Sequence, residues 1–402
     1  MAKDRLFTPS YICILAANFL FFFGFWLLVP VLPFYLKETY ACPTTTIGII
    51  LSCYTASCLC VRPFSGFLMD RFPRKPIYIS CYVACVAMFL GYMADITLTL
   101  FILLRTMHGV AFGGVTVGGN TLCVDIMPSS RRGEGLGYYG LTNNIAMALG
   151  PMTGLMLHGQ LSYNNIFFAG MAASVIGLAC ALSVKARKPA SAGRTAPATK
   201  ISLDRFILLK GIPVSISLFM LSIPYGATTN FVAMYAREIN LDVPTGFFFT
   251  LMAAGMGASR LVAGRKVDRG YITQCIRFGY YPVIAAFLLL SLCRFVVASS
   301  PSAATAMFFT VPLLLGTGFG VMFPAMNSLY INLAPNNRRA TATSTYLTAW
   351  DVGIGIGIVS SGIIAQHFTF YMVYLTGAVL CTVSLLFFVR RVTPHYNRNK
   401  LR

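Results

Sequence analysis

Acidic residues are scarce in this chain. Only 11 Asp and Glu stand against 31 Lys and Arg in 402 residues, and charged residues make up 10%. Soluble domains carry roughly 25% charged residues, so an ordinary water-exposed globule is excluded. The chain also has only 4 His. No Cys pair shows zinc-ligand spacing with a His, so no metal centre is expected. Nor is there a Ser/His/Asp arrangement at recognisable spacing. No catalytic residue and no cofactor are expected, and the chain does not read as an enzyme. Strict alternation of apolar and polar residues is missing too, which excludes a transmembrane β-barrel.

What is plentiful is apolar sequence. Hydrophobic residues reach 57%, and runs of about twenty recur along the chain, as bilayer-spanning helices require. Twelve candidate spans lie near 11–36, 47–68, 76–95, 98–125, 134–158, 163–185, 206–236, 245–264, 272–297, 301–331, 339–365 and 368–390. The cysteines, such as Cys53, Cys58, Cys60, Cys81, Cys85 and Cys293, mostly fall inside these runs and read as small membrane-helix residues. The first run is too long for a signal-peptide core and lacks a small-residue cleavage site, so it is expected to stay in the mature protein.

The net charge of +20 is a topology signal, not the mark of a nucleic-acid partner. The bases cluster at Arg71/Arg74/Lys75, Arg131/Arg132, 185–205, Arg265/Lys266/Arg269/Arg277, Arg338/Arg339 and 390–402, in every second connection. The alternate connections are poor in Lys and Arg. The positive-inside rule then predicts a multi-pass protein of the cytoplasmic membrane with both termini in the cytoplasm.

The chain repeats itself. Gly66-Phe67-Leu68-Met69-Asp70-Arg71-Phe72-Pro73-Arg74-Lys75 returns in degraded form, about two hundred residues later, as Gly264-Arg265-Lys266-Val267-Asp268-Arg269. Arg62 precedes the first glycine by four residues, and Arg260 precedes the second by four. Pro128-Ser129-Ser130-Arg131-Arg132 likewise matches Pro335-Asn336-Asn337-Arg338-Arg339. That match aligns Gly113 with Gly320, Asn120 with Asn327, Asn144 with Asp351 and Gly150 with Gly357. The expected organisation is a six-helix bundle over 1–185, a Pro/Gly/Ala-rich linker over 186–205 and a second bundle over 206–402. Twofold repetition with a site between the halves is a recurring plan of secondary transporters.

Several polar residues stand inside spans, where they are expensive and tend to be functional. Asn18 lies in an aromatic first span with Phe22 and Trp26, which Pro30 and Pro33 are expected to bend. In span four, Arg105 and His108 share a helix face. Arg105 lies near enough to the outer end to snorkel, and His108 can change charge near neutral pH. A structural hydrogen-bonding pair and a proton-coupling pair are both open. Asp125, at the inner end of the same span, is expected to meet Arg131/Arg132. Asn143 and Asn144 precede the helix-bending Gly150-Pro151 step, with Gly154 beyond it. Asp351 lies near the middle of span eleven beside Trp350, whose ring offers a face to a cation. Gly316-Thr317-Gly318-Phe319-Gly320 lacks both the third glycine and the preceding strand of a dinucleotide loop, and reads as close helix packing.

Over essentially its whole length the chain resembles the major facilitator superfamily. Gly66, Asp70, Arg71, Arg74 and Lys75 match that family's G-x-x-x-D-R-x-x-R-K loop, with Pro73 at a position where Gly is common. The resemblance implies that this loop, with Arg62, forms a conformational latch. Arg105 and Gly109 are similar to the family's R-x-x-Q-G motif, with His108 replacing Gln. Gly150, Pro151 and Gly154 match the G-P-x-x-G core of its antiporter motif, while Ala146 and Leu155 replace the outer glycines. Val29-Pro30-Val31-Leu32-Pro33 resembles the first span of twelve-span drug exporters, without the acid that some carry there.

The expected fold is therefore an all-α membrane protein of twelve transmembrane helices in two pseudo-symmetric six-helix bundles. The expected function is monomeric, proton-coupled export of a small organic molecule across the bilayer by alternating access. Arg105, His108 and Asp351 are the candidates for coupling. Asn18, Phe22, Trp26, Asn143, Asn144, Asn327, Trp350 and Asp351 are the candidates for lining the substrate cavity. A proton-linked importer or facilitator of sugars or other metabolites is the alternative; a non-transporting sensor is expected to append a soluble signalling domain, and none is read in this sequence.

Overall fold

The computed structural model describes residues 5–94, 97–128, 131–185, 207–335 and 339–401; side chains at 63, 66–67, 70–71, 132–134, 261–265, 268 and 339–340 lie outside this description. The first half forms α1 (Pro9–Leu28), α2 (Leu32–Tyr40), α3 (Thr44–Arg71), α4 (Arg74–Met93), α5 (Leu98–Ile126), α6 (Arg132–Leu157) and α7 (Tyr163–Ser183). The second forms α8 (Ile212–Glu238), α9 (Gly246–Asp268), α10 (Ile272–Val297), α11 (Pro301–Leu333), α12 (Arg339–His367), α13 (Phe370–Phe387) and α14 (Thr393–Asn399). Among the described residues, ten helices are long and apolar enough to cross a membrane. With α6 and α9, which are equally long but carry Asn143/Asn144 and Ser259/Arg260, they make the twelve rods of the expected fold.

Local chemistry sets the helix ends. Thr8, Thr97, Ser162 and Ser300 cap α1, α5, α7 and α11 by accepting from Tyr11, Leu100, Asn165 and Ala303 N–H. Glu238, at the end of α8, accepts the otherwise unused Phe370 N–H at the start of α13 (3.3 Å). The first span bends once, not twice. Pro30 lies in the turn where Val31 N–H closes on Leu28 O (3.0 Å), and the helix restarts at Leu32. Pro33 then falls in the first turn of α2, where a missing N–H costs no hydrogen bond.

Two compact units result, one of residues 1–40 and 53–197, the other of residues 41–52 and 198–402. In the first, Tyr11 and Tyr82 hydroxyls donate to Gly135 O (2.8 Å) and Ala17 O (3.2 Å), tying α1 to α6 and α4 to α1. In the second, Ser217, Tyr280 and Ser384 form a buried hydroxyl triangle with edges of 2.8, 2.7 and 3.0 Å, joining α8, α10 and α13. Large apolar side chains such as Phe278, Phe295 and Leu292 remain outward, as a lipid-facing surface requires.

The repeat read in the sequence recurs as helix packing. A methyl on Gly109 or Gly113 of α5 would press on the Tyr54 or Cys58 carbonyl of α3. A methyl on Gly316 or Gly320 of α11 would press on the Met252 or Met256 carbonyl of α9. These pairs occupy equivalent places in the two halves. Small residues allow such backbone approach in lipid, where no hydrophobic force drives helices together.

Gly109→Ala is accordingly expected to cost about 1–3 kcal/mol by forcing α3 and α5 apart. Gly140→Ala, where an added methyl would meet nothing within 4 Å, should be neutral or slightly stabilising. Thermal unfolding of the purified protein in detergent, followed for both variants, checks the contrast.

Candidate functional site

In the first unit, the aromatic stripe of α1 faces α5 and α3. Phe21 stacks on Phe112 (ring centroids 5.3 Å), Phe22 meets the same ring edge-on (5.7 Å), and Phe25 stacks on Tyr54 (5.4 Å). These rings lie beside the two ionisable residues of span four. Arg105 does not snorkel. It is only 4% exposed, and its guanidinium lies 4.4 Å from the centre of the Tyr54 ring. Its Nε has no hydrogen-bond partner among the described residues, and neither does the Tyr54 hydroxyl. His108 is buried one turn further on, with Nδ1 3.0 Å from the Tyr92 hydroxyl and its ring against Tyr54 and Phe89. The helical spacing of three thus delivers both groups to one ring, Tyr54, which the sequence did not single out.

The amides of this unit are engaged. Asn18 Nδ2 donates to Tyr139 O (3.1 Å) and Thr142 Oγ1 (2.7 Å), bridging α1 to α6. Trp26 Nε1 donates to Asn143 Oδ1 (3.2 Å) across the same helix pair. Gly150 and Gly154 allow this approach: added methyls would meet Trp26 Cβ (2.7 Å) and the Leu27 carbonyl. Pro151 lies within α6 between them. Asn144 is half-buried on the next position.

Asp125 finds a different cation from the one expected. Arg74 Nη1, at the start of α4, reaches its carboxylate at 2.5 Å, because the short turn after α3 sets the first residues of α4 beside the end of α5. Arg74 is thus a partner the sequence did not point to; of the expected partners, the Arg132 side chain lies outside the described residues. Lys75 Nζ donates to Leu182 O (2.8 Å) at the end of α7. Arg62 reaches the Cys58 thiol one turn earlier on α3. The side chains of Asp70 and Arg71, and the surroundings of Gly66, lie outside the described residues.

In the second unit, Trp350 is the hub. Gly226 lies 2.6 Å, measured from an added methyl, from the Ile354 carbonyl, so α8 and α12 come close and Tyr225 meets Trp350 (4.8 Å). Phe323 presents its edge to the indole (4.6 Å), and Phe319 lies at 6.0 Å. One turn beyond Phe323 on α11, Asn327 has a buried Oδ1 with no partner among the described residues. Asp351 is half-buried and engaged in an interaction of its own. Sequence reasoning missed Arg260 of α9. It is half-buried, its Nε is enclosed without a hydrogen-bond partner among the described residues, and it interacts electrostatically with Tyr225 and Tyr346. The available signal was its place inside a span, at the position that matches Arg62 in the repeat.

Among the described residues no His/Cys/Asp/Glu cluster fit to hold a metal is found. The side chains inside both units combine guanidinium, phenol, amide and aromatic surfaces.

Comparison with known proteins agrees with the geometry. A family model described as Major Facilitator Superfamily matches residues 14–358. The chain is 23% identical over 366 residues to the staphylopine export protein of Staphylococcus aureus, covering 87% of this chain and 88% of that protein. It is 24% identical over 386 residues to the MFS-type transporter YhhS of Escherichia coli, covering 93% and 90%. In three dimensions it is similar to the nucleoside transporter NupG (TM-score 0.75, 16% identity, 95% and 98% covered). It is also similar to a POT family transporter solved with 5-aminolevulinic acid (TM-score 0.81, 12% identity, 96% and 96% covered).

Tyr92→Phe removes the hydroxyl that meets His108 Nδ1 and, among the described residues, leaves that buried ring nitrogen unpaired. It is expected to cost about 1–3 kcal/mol, seen as a lowered unfolding temperature, whereas the equivalent loss of an exposed hydroxyl at Tyr138 should leave that temperature unchanged.

Proposed function

The chain belongs to the Major Facilitator Superfamily and transports small molecules, and we propose that it exports a small organic molecule from the cytoplasm by proton antiport and alternating access. The observation that carries the coupled mechanism is the set of ionisable groups enclosed within the spans: Arg105 with His108 in the first unit and Asp351 in the second. Such groups are retained in a membrane protein at a cost of about 2.5–3.5 kcal/mol each, and they mark ion and substrate pathways. Similarity to an export protein over nearly the full length of both chains supports the outward direction.

In this reading Asp351 and the Arg105–His108 pair exchange the proton. Protonation drives the cycle only by favouring one conformation over the other. Asn18 and Asn143 hold α1 to α6, and with Phe22, Trp26, Asn144, Asn327 and Trp350 they shape the solute path. The loop of Arg62, Gly66, Asp70, Arg71, Arg74 and Lys75 acts as a latch. Arg74 and Lys75 anchor it to α5 and α7 of its own unit. The protein works as a monomer in the cytoplasmic membrane, with its basic loops and termini on the cytoplasmic side.

Purified protein in liposomes, with a pH gradient imposed, tests the coupling against a metabolite and drug panel. A solute that moves opposite to the protons, with at least about a tenfold loss of gradient-driven flux in Asp351→Asn and Arg105→Ala, is the expected result. Accumulation on the side the protons enter would establish import instead. Normal flux in both variants would remove these residues from the coupling role.

A further inference from the structure

We propose that Arg260, with Tyr225, Tyr346, Asn327 and the Trp350 ring, is the recognition site for an organic oxyanion, a carboxylate or phosphate ester attached to a flat apolar body. The proposal rests on the reading of this chain as a small-molecule transporter and adds the chemical class of its solute.

Arg260 stands inside α9, a span helix, four residues before Gly264. Its Nε is enclosed, and among the described residues it has neither a hydrogen bond nor a carboxylate. An arginine removed from water normally takes both. Among the described acids, Asp125 is committed to Arg74, Asp351 to an interaction of its own and Glu238 to Phe370 N–H; the side chains of Asp70, Glu134 and Asp268 lie outside the described residues. What Arg260 has instead are two phenols, Tyr225 and Tyr346, close enough to interact electrostatically. A guanidinium offers only donors, and phenol hydroxyls can turn to donate as well. Such a set suits a ligand that supplies acceptors and a negative charge, and Arg matches carboxylate and phosphate geometry through paired N–H groups.

The surroundings define the rest of the ligand. Phe319, Phe323 and Asn327 follow at intervals of four on α11, so they share one helix face. Tyr346 and Trp350 do the same on α12. The indole is walled by Tyr225 (4.8 Å), Phe323 (4.6 Å) and Phe319 (6.0 Å). Four helices, α8, α9, α11 and α12, thus bring a cation, hydroxyls and one amide to the border of an aromatic wall. A flat apolar body on that wall, with its oxyanion toward Arg260, uses the guanidinium and the two phenols as donors and the indole as a stacking surface, while Asn327 can serve the oxyanion only through its amide N–H, since its Oδ1 is an acceptor. Asp351 adjoins Trp350 in sequence but lies about 100° around the helix from it, so it does not occupy the face shared by Tyr346 and Trp350.

The chain has only two tryptophans, so in a Trp26→Phe background Trp350 alone reports on the site. That protein, in detergent and without any gradient, is titrated with benzoate, phenyl phosphate, benzylamine and benzyl alcohol while tryptophan emission is followed. Saturable change with benzoate or phenyl phosphate, and none with the amine or the alcohol, is expected, and the better of the two anions names the oxyanion. Arg260→Gln in the same background should weaken that binding by at least about tenfold, and Arg260→Lys by less. Both variants are first shown to fold by thermal unfolding. If Arg260→Gln alone fails to fold, the Lys variant with its retained charge must bind the anion more weakly than the parent. Equal response to all four probes, no response to either anion, or unchanged binding in the folded variants would overturn the proposal. Flux of the bound anion in liposomes separates the two readings: binding without proton-opposed flux counts against antiport and leaves the anion site standing.

Discussion

A guanidinium or carboxylate inside a lipid-spanning helix must be enclosed, because hydrocarbon offers it nothing. Much of this architecture follows from that constraint. Enclosure needs helices that come within backbone contact, and backbone contact needs residues without side chains at the crossings. Gly109 and Gly113 against α3, Gly150 and Gly154 against α1, and Gly316 and Gly320 against α9 supply them. The same crossings bring aromatic rings around the charges. Arg105 lies over Tyr54 rather than beside an acid, so part of its neutralisation comes from a ring quadrupole.

The two halves share their crossings and differ in their polar content. Equivalent glycines meet equivalent carbonyls, as expected of a duplicated bundle. The side chains carried on that scaffold have diverged. The first unit encloses an arginine–histidine–tyrosine group, while the second encloses an arginine among tyrosines, an unpaired amide and an indole. A repeat that preserves glycines while varying polar residues keeps one packing plan and lets the chemistry of each half differ.

The proposed coupling and the proposed anion site bear on each other. An oxyanion near Trp350 and a titrating Asp351 in the next position on α12 share one helix. Each changes the electrostatic field the other meets, so the two occupancies are not independent.

The chain alone determined the number of spans, the duplication and the fold, because apolar run length and repeated charged loops are written locally. It also marked Arg105, His108, Trp350 and Asp351, since a polar or aromatic residue in such a run stands out without coordinates. The partners were not legible. Asp125 pairs with Arg74, 51 residues away in sequence. Arg105 turns to Tyr54 instead of snorkelling toward the outer end of its span. Arg260, used only as a register mark, emerged as a cation without a counterion among the described residues. Each of these depends on the rotation and depth of one helix against its neighbours. Those are set by where side chains and glycines interlock across the bundle, and no local stretch of sequence contains that information.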